Sequence, residues 1–285
     1  MSEHQGQWPV TVMCEVLEVS RSGYYDYIER QKHGGGDDAE AITLRSRVQA
    51  IHAETKQSYG SRRLSKQLQA EGFSVGRYKA RRLMRELELS VKRRVRRRPQ
   101  TTDSRHGFGV APNLLERHFD VDYPDRAWCG DITYLWTEEG WLYLSVLLDL
   151  YSRKVVGWAM SDRIDTNLVA GALQMALGRR QPAQGLIHHS DRGSQYASYA
   201  YRALLAENGI RCSMSRKGEC LDNAVAERFF GSLKREWTVN QYYVTRQQAK
   251  DDVIDYIEMF YNSRRIHSYL GYISPNEYEK IAKVA

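Results

Sequence analysis

Three acidic side chains stand where an ordinary surface carboxylate would not. Asp131 opens a strand-like run and puts a charge into the otherwise uncharged stretch Trp128 to Leu135. Asp191 follows a short apolar strand, within His189-Ser-Asp-Arg-Gly-Ser-Gln-Tyr196. Ligands of open α/β sheets bind beyond strand ends of this kind. Glu227 lies on the helical stretch Asp222 to Lys234, three residues from Ala224 and three from Phe230. It therefore borders the apolar stripe of Ala224, Phe230 and Leu233, with Lys234 two turns on along the same side. Taken singly, each carboxylate reads as readily as an N-cap or an ion-pair partner, because a carboxylate at a core edge is costly unless it is paired or binds a metal. Taken together, three carboxylates from three elements offer oxygen-only ligands suited to magnesium or manganese. Two such ions about 3.5–4 Å apart activate an attacking oxygen and stabilise a leaving one in in-line phosphoryl transfer. One carboxylate must bridge both ions, and Asp131, on the rigid central strand, is the natural bridge.

The elements that must position these groups are legible from residue 120 onward. Asp131 to Thr137 and Trp141 to Asp149 are rich in β-branched, aromatic and aliphatic residues, and Glu138-Glu139-Gly140 between them reads as a hairpin turn. Lys154 to Met160 predicts a third strand. Asp165 and Thr166 offer caps to a helix through Leu177. Gly185 to His189 is a short buried strand, Ser198 to Asn208 a helix ending at Gly209, Ile210 to Met214 a strand, and Asp222 to Trp237 a helix. Three strands, helix, strand, helix, strand, helix is the order of a ribonuclease-H-like α/β fold, a mixed five-stranded sheet with an antiparallel edge and helical crossovers. A last helix, Thr245 to Asn262, starts with the capping-box pattern Thr245-x-x-Gln248.

The front of the chain differs in character. Residues 1–110 hold 21 Lys+Arg against 13 Asp+Glu, a net of +8, and residues 111–285 hold 21 against 22, a net of −1; the two sum to the chain's +7. A basic front on a near-neutral back predicts a polyanion-binding module joined to something else. Pro9 to Glu29 reads as two short helices, with Val12, Val16 and Leu17 as one apolar stripe and Ser20 capping a second helix that carries Tyr24, Tyr25 and Ile28. The stretch 38–90 is helical. Ile42, Val48 and Ile51 share one helix, Leu64 and Leu68 the next, and Glu71-Gly72-Phe73 turns into a helix bearing Val75, Tyr78, Leu83 and Leu87. That last helix is loaded with Arg77, Lys79, Arg81, Arg82 and Arg85, so the pair is a helix-turn-helix candidate or, equally on this evidence alone, a bundle with a solvated basic face. Lys92 to Arg98 is basic at six of seven positions, and residues 99–113 lack periodicity. The predicted organisation is a helix-turn-helix-like segment (1–33), a helical DNA-binding domain with a basic end (38–98), a linker (99–119), a catalytic core (120–240) and a helical extension (241–285).

Composition excludes other classes. Apolar residues make up 42% and charged residues 27%, enough for a sizeable core. The longest mostly apolar stretch, Leu142 to Leu148, falls far short of the ~18 residues of a membrane span, and Met1 to Trp8 lacks a signal-peptide pattern. Four scattered cysteines without a Cys-x-x-Cys match a reduced, cytosolic protein.

The spacings and flanking motifs resemble a known family. Asp131 and Asp191 are separated by 59 residues and Asp191 and Glu227 by 35, with Lys234 seven residues after the Glu. The second spacing with its lysine is similar to the DDE transposases and retroviral integrases. Trp128-x-x-Asp-Ile-Thr-Tyr134, Leu148-Asp-Leu-Tyr-Ser-Arg153, Ser215-Arg-Lys-Gly218, Asp222-Asn-Ala-Val-Ala-Glu-Arg-Phe-Phe230, Tyr261-Asn-x-x-Arg-x-His267 and Leu270-Gly-Tyr-x-Ser-Pro275 resemble bacterial insertion-sequence transposases of the OrfB type. So do Val19-Ser-Arg-Ser-Gly-Tyr-Tyr25, Tyr59-Gly-Ser-Arg-Arg63 and Val75-Gly76 through Leu83-Met84, so the resemblance spans nearly the whole chain.

The resemblance implies a magnesium- or manganese-dependent polynucleotidyl transferase using two ions, which cleaves element ends and joins them to a target duplex. It implies Asp131, Asp191 and Glu227 as catalytic metal ligands, DNA as partner, an upstream OrfA product as partner or frameshift fusion, a homo-oligomer on DNA, and a bacterial cytoplasmic, nucleoid-associated location. The expected site wall is His189, Gln195 and Asn223. The expected DNA contacts are Arg62, Arg63, Arg77, Lys79, Arg81, Arg82, Lys92, Arg93, Arg94, Arg96, Arg97, Arg98, Lys217 and Lys234. No zinc is expected, because His188, His189, Cys212 and Cys220 have no zinc-site spacing. Two other readings stand beside this one: a non-catalytic DNA-binding regulator, which a complete carboxylate triad disfavours, and a ribonuclease-H-type nuclease without strand transfer, which the basic reader segments disfavour.

Overall fold

The computed structural model describes residues 6–33, 39–91, 109–216 and 219–282. The chain divides into two compact units, Met1–Ile51 and His52–Ala285. In the first, α1 (Val10–Val16) and α2 (Arg21–His33) form as expected. Ser20 caps α2 by accepting the Gly23 N–H at 3.1 Å. The expected stripe on α1 is corrected: Val12, Val16 and Leu17 face solvent, and Met13 and Cys14 are the buried pair. On α3 (Ala39–Glu54) the buried apolar residues are Leu44, Val48 and Ile51, at steps of four and three. Ile42, two residues before Leu44, falls on the opposite side and is exposed.

In the second unit, α4 (Ser61–Ala70) and α5 (Arg77–Glu86) pack through Leu64, Leu68, Val75, Ala80, Leu83 and Met84. Gly72 takes φ +93° in the turn between them, a conformation that glycine adopts without strain.

The sheet has the order β3-β2-β1-β4-β5. Its strands are β1 (Ala127–Thr137), β2 (Gly140–Asp149), β3 (Val155–Ser161), β4 (Ile187–Ser190) and β5 (Arg211–Met214). The β1–β2 and β2–β3 pairs are antiparallel, while β4 lies parallel to both β1 and β5. This is the mixed five-stranded arrangement expected. One correction matters for the site: β1 starts at Ala127, so Asp131 sits inside the strand and does not open it.

Helices α6 (Thr166–Arg180), α7 (Ser194–Ala197) and α8 (Tyr199–Glu207) cover one face, around a core that includes Trp128, Leu147, Val156, Leu173, Tyr196 and Leu205. Asp165 caps α6 by accepting the Leu168 N–H at 3.0 Å, and Ser198 caps α8 by accepting that of Tyr201 at 3.3 Å. The other face carries α9 (Ala224–Ser232) and α10 (Arg246–Ile254), with Phe229, Trp237, Tyr256, Phe260 and Tyr261 in mutual ring contact. Thr245 and Gln248 form the expected capping box.

Two expected helices are not uniform. Asp222 to Trp237 splits into a 3-10 turn (Cys220–Asn223), α9 and a π-helical turn (Leu233–Trp237). Past Ile254 the helix also widens, into a π-helical segment (Asp255–Tyr261). Nor is it the last helix, since α11 (Pro275–Ala282) follows.

Candidate active site

The two aspartates are brought together by parallel pairing. The last paired residues of β1 and β4 are Cys129 and His189. Each strand direction then continues two residues, to Asp131 on one side and Asp191 on the other. Alternation along β1 puts Asp131 on the face of Cys129, the face on which α9 packs. Both aspartates are half-buried. One oxygen of Asp131 accepts the Ile132 N–H at 2.8 Å, and one of Asp191 accepts that of Gly193 at 2.9 Å.

Glu227 stands in the first turn of α9 and reaches solvent. Its flank differs from the expected stripe: Ala226, Phe229 and Phe230 are buried, while Ala224 is only partly so.

The electrostatics bind the group together. Burial pushes the Asp131 carboxyl well above the usual range, the Asp191 and Glu227 charges push it further, and Lys234 opposes them. Burial also raises Glu227. A cluster of acids that repel one another in this way is a donor set that a hard divalent cation neutralises. Among the described residues, no three His, Cys, Asp or Glu side chains stand close enough together to hold an ion as they are.

Asn223 locks the approach to Asp131. It is buried, its Oδ1 accepts the Cys129 thiol at 2.7 Å, and its Nδ2 donates to the Gly130 carbonyl at 3.4 Å. The start of α9 is thereby fastened to the two residues preceding Asp131. Burial pushes the Cys129 thiol up to about 12, so it is a neutral strut. Gln195 donates from Nε2 to the Ile164 carbonyl at 3.3 Å. A Cβ on Gly193 would lie 3.0 Å from Gln195 Oε1 and 3.1 Å from Asp191 Oδ1, so a larger residue there would press on both side-chain tips. His189 is fully buried, paired through Nδ1 with Ser213 Oγ at 2.8 Å, and held down to about 4 by burial. It is a neutral packing residue beneath the site.

Asp222 has a role that its position in the motif did not reveal. Its carboxylate accepts from the Arg216 N–H at 3.0 Å, Asn113 Nδ2 at 3.1 Å and Arg117 Nε at 2.6 Å. Against its burial, Arg216 and Arg117 hold it well below the usual range. It anchors the loop leading into α9. Asp149 similarly accepts the Asp125 and Tyr151 N–H groups and Arg180 Nη2, while Arg180 also reaches Asp125 and Glu279. These acids share a type with the triad but are satisfied by protein donors, which sequence cannot distinguish.

The expected DNA contacts divide. Arg62, Arg77, Lys79, Arg81 and Arg82 are exposed on α4 and α5, beside Tyr78 at 86% exposure. Arg82 makes an exposed ion pair with Glu86 at 3.3 Å. Arg63 is different: its Nη1 lies 2.9 Å from Glu236 Oε1, engaged with protein. Lys234 places its ammonium 4.7 Å from the centroid of the Tyr134 ring, three residues past Asp131 on β1. Lys92, Arg93, Arg94, Arg96, Arg97, Arg98 and Lys217 lie outside the described residues.

Comparison with known proteins agrees with this architecture. The Integrase core domain family matches residues 122–220, a second Integrase core domain family matches 227–282, and an HTH-like domain family matches 38–98. A protein of Shigella sonnei, the insertion element IS600 uncharacterized 31 kDa protein, is 44% identical over 263 residues, covering 92% of this chain and 96% of its own. The transposase InsF for insertion sequence IS3A of Escherichia coli (strain K12) is 40% identical over 279 residues, covering 98% and 96%. Among solved structures, the simian T-cell lymphotropic virus intasome in complex with PP2A regulatory subunit B56 gamma aligns at TM-score 0.47 and 15% identity, over 81% of this chain and 73% of that one. The HTLV-2 integrase catalytic core domain in complex with magnesium (trimeric form) aligns at 0.43 and 15%, over 55% and 97%. At that distance neither assigns a role to any residue here. On its relatives and family matches, the chain belongs to the bacterial insertion-sequence transposases of the DDE class, with an integrase catalytic core behind a helix-turn-helix-like region.

Proposed function

We propose that the chain cleaves the DNA ends of its element and joins them to a target duplex, with Asp131, Asp191 and Glu227 as the catalytic carboxylates. The observation that carries this reading is the register: both aspartates lie two residues beyond the last β1–β4 pair, Cys129 and His189, on the face that receives α9 and Glu227. Asp131 and Asp191 would hold divalent magnesium or manganese with Glu227 completing the set, and two ions there would supply Lewis-acid activation of the attacking and leaving oxygens. The protein's own part is positioning. Asn223 holds the strand before Asp131, Gly193 leaves space for the Asp191 carboxylate, and Lys234 meets a phosphate on the open side of β1.

Cleavage is attack of a water oxygen on phosphorus with loss of the element's 3′-hydroxyl. Joining is attack of that hydroxyl on a target phosphorus, with the target's own 3′-oxygen leaving. No covalent protein–DNA link is needed, since positioning and charge carry the chemistry.

The exposed cations of α5 are read as contacts to DNA, and 38–98 as the reader of a chain whose core spans 120–240, joined by the linker 99–119 and followed by the extension 241–285. The segment 1–33, an OrfA partner or fusion, and assembly as a homo-oligomer on DNA belong to the same reading. A strand-transfer assay with labelled element ends, with and without the upstream product, tests it. Joined product in magnesium or manganese, abolished by chelation, is expected. Cleavage without joining under every condition would make the chain a nuclease, and neither reaction with full DNA binding would make it a regulator.

A further inference from the structure

The π-helical turn Leu233–Trp237 continues α9 beyond Glu227 and carries Lys234. Its wide step is seen in the Thr238 N–H, which donates to the Leu233 carbonyl five residues back at 3.0 Å. Such turns are rare and concentrate at functional positions. Something must hold this one, and the holder is Glu236. Arg265 Nε donates to its Oε2 at 2.6 Å and Arg265 Nη2 to its Oε1 at 2.7 Å, with Nη2 also reaching Ser232 Oγ at 3.0 Å. Arg63 Nη1, from α4, donates to Oε1 at 2.9 Å. Glu236 is 9% exposed and Arg265 4%, so that pair is shielded from water, while Arg63 reaches it from a partly exposed position. Three further contacts tie Lys56 and Tyr59 to the turn and its neighbours. Tyr59 Oη accepts the Ile266 N–H at 2.9 Å. Lys56 Nζ lies 3.6 Å from the Trp237 ring centroid and 3.1 Å from Asp252 Oδ1.

Glu236 and Lys234 are two residues apart on one turn, so their side chains leave it on opposite sides. Pinning Glu236 inside therefore fixes the direction in which Lys234 leaves, toward Tyr134 on β1. We propose that Arg63 is a positioning residue for DNA joining and not a DNA contact: through Glu236 it sets the rotation of the π-turn, and with it the place from which Lys234 meets DNA phosphate. This rests on the reading of Lys234 given above. It also gives the helix-turn-helix-like region a second task, as a brace on the catalytic helix.

The test uses the full chain and duplex element ends, measuring joining kcat at saturating DNA separately from KM. Arg63→Ala is expected to lower kcat by about tenfold and to weaken end binding no more than Lys234→Ala does, and Arg63→Lys to restore most of the loss. On a Lys234→Ala background, Arg63→Ala should cost less than about twofold more, since coupled residues are not additive. A raised KM and a flatter salt dependence at unchanged kcat, found equally on the Lys234→Ala background, would overturn the proposal in favour of a DNA contact. A lowered melting temperature at unchanged kcat, or full additivity with Lys234→Ala, would overturn it in favour of mere support. Where Arg63→Ala folds poorly, Glu236→Gln makes the same test by keeping shape and removing charge, and unchanged kcat there also overturns it. Failure of the Lys234 reading is separate: Lys234→Ala alone would then leave kcat and the salt slope untouched.

Discussion

Gly157 lies on β3 directly beneath α6, and the spacing there leaves no room for a methyl group. A Cβ at this position would stand 2.2 Å from the Ala172 carbonyl oxygen, 2.7 Å from Ala176 Cβ and 2.9 Å from Ala176 N. Two of the three atoms are helix backbone, which cannot rotate away as a side-chain tip can. Gly157→Ala must therefore lift α6 off the sheet, loosening Val169, Leu173 and Ala176 from the cluster they share with Trp128, Leu147 and Val156. Overpacking costs about 1–3 kcal/mol, and a backbone collision belongs at the upper end. Replacing glycine offsets about 0.4–1 kcal/mol by narrowing the unfolded ensemble. The net is about 2 kcal/mol, or a fall in Tm of about 4–8 °C for a unit of this size. Gly178→Ala, on the same helix with nothing within 4 Å of the added carbon, is the internal control. It should stabilise by up to about 1 kcal/mol through helix propensity. Thermal and urea unfolding of both variants make the comparison. A Gly157→Ala protein that melts at or above the parent would refute the close sheet–helix packing.

Other outcomes follow from the same structure. Burial holds His188 down to about 3, with His189 adding to the effect. The unfolded chain takes up a proton near pH ~6.5 that the folded one refuses. Stability is thus lost as pH falls from about 6.5 toward the folded value, by about 1.4 kcal/mol per pH unit from this group, and His188→Gln should flatten that limb in urea titrations between pH 6 and 4. Asn223→Ala removes the Cys129 and Gly130 contacts and should reduce joining by about tenfold or more while end binding is kept, because a small misplacement at a reacting centre is costly; binding loss with unchanged turnover would contradict it. Lys234→Ala should weaken binding to element ends and reduce the slope of log affinity against log salt by about one ion, and an identical slope would count against a phosphate contact.

Much of this was legible in the sequence because strands and their turns are local. The β1–β2 hairpin, the caps Ser20 and Asp165 and the Thr245–Gln248 box each announce themselves within a few residues. The three candidate carboxylates were also legible, since a charge breaking an apolar strand and an acid just past a strand end are patterns. The partners that hold buried ions were not. Arg63 reads as one more basic residue until Glu236, far along the chain, is found beside it. Asp149 and Asp222 are acids of the same type as the triad, and their pairing with Arg180, Arg117 and Arg216 is visible only in the structure. The π-turn leaves no periodic signal either, because one extra residue shifts the helical phase without changing composition. On α1 the expected apolar stripe faces solvent, since a seven-residue helix has too few positions to fix which side is covered.

The most direct test of the account is joining of labelled element ends in magnesium by Asp131→Asn, Asp191→Asn and Glu227→Gln, alongside their binding of the same DNA. An amide keeps the shape of each side chain and removes the charge that a divalent cation needs. The account predicts that all three lose cleavage and joining while binding ends with parental affinity and melting at or above the parental temperature. Near-parental joining by any one of them would contradict its place in the triad.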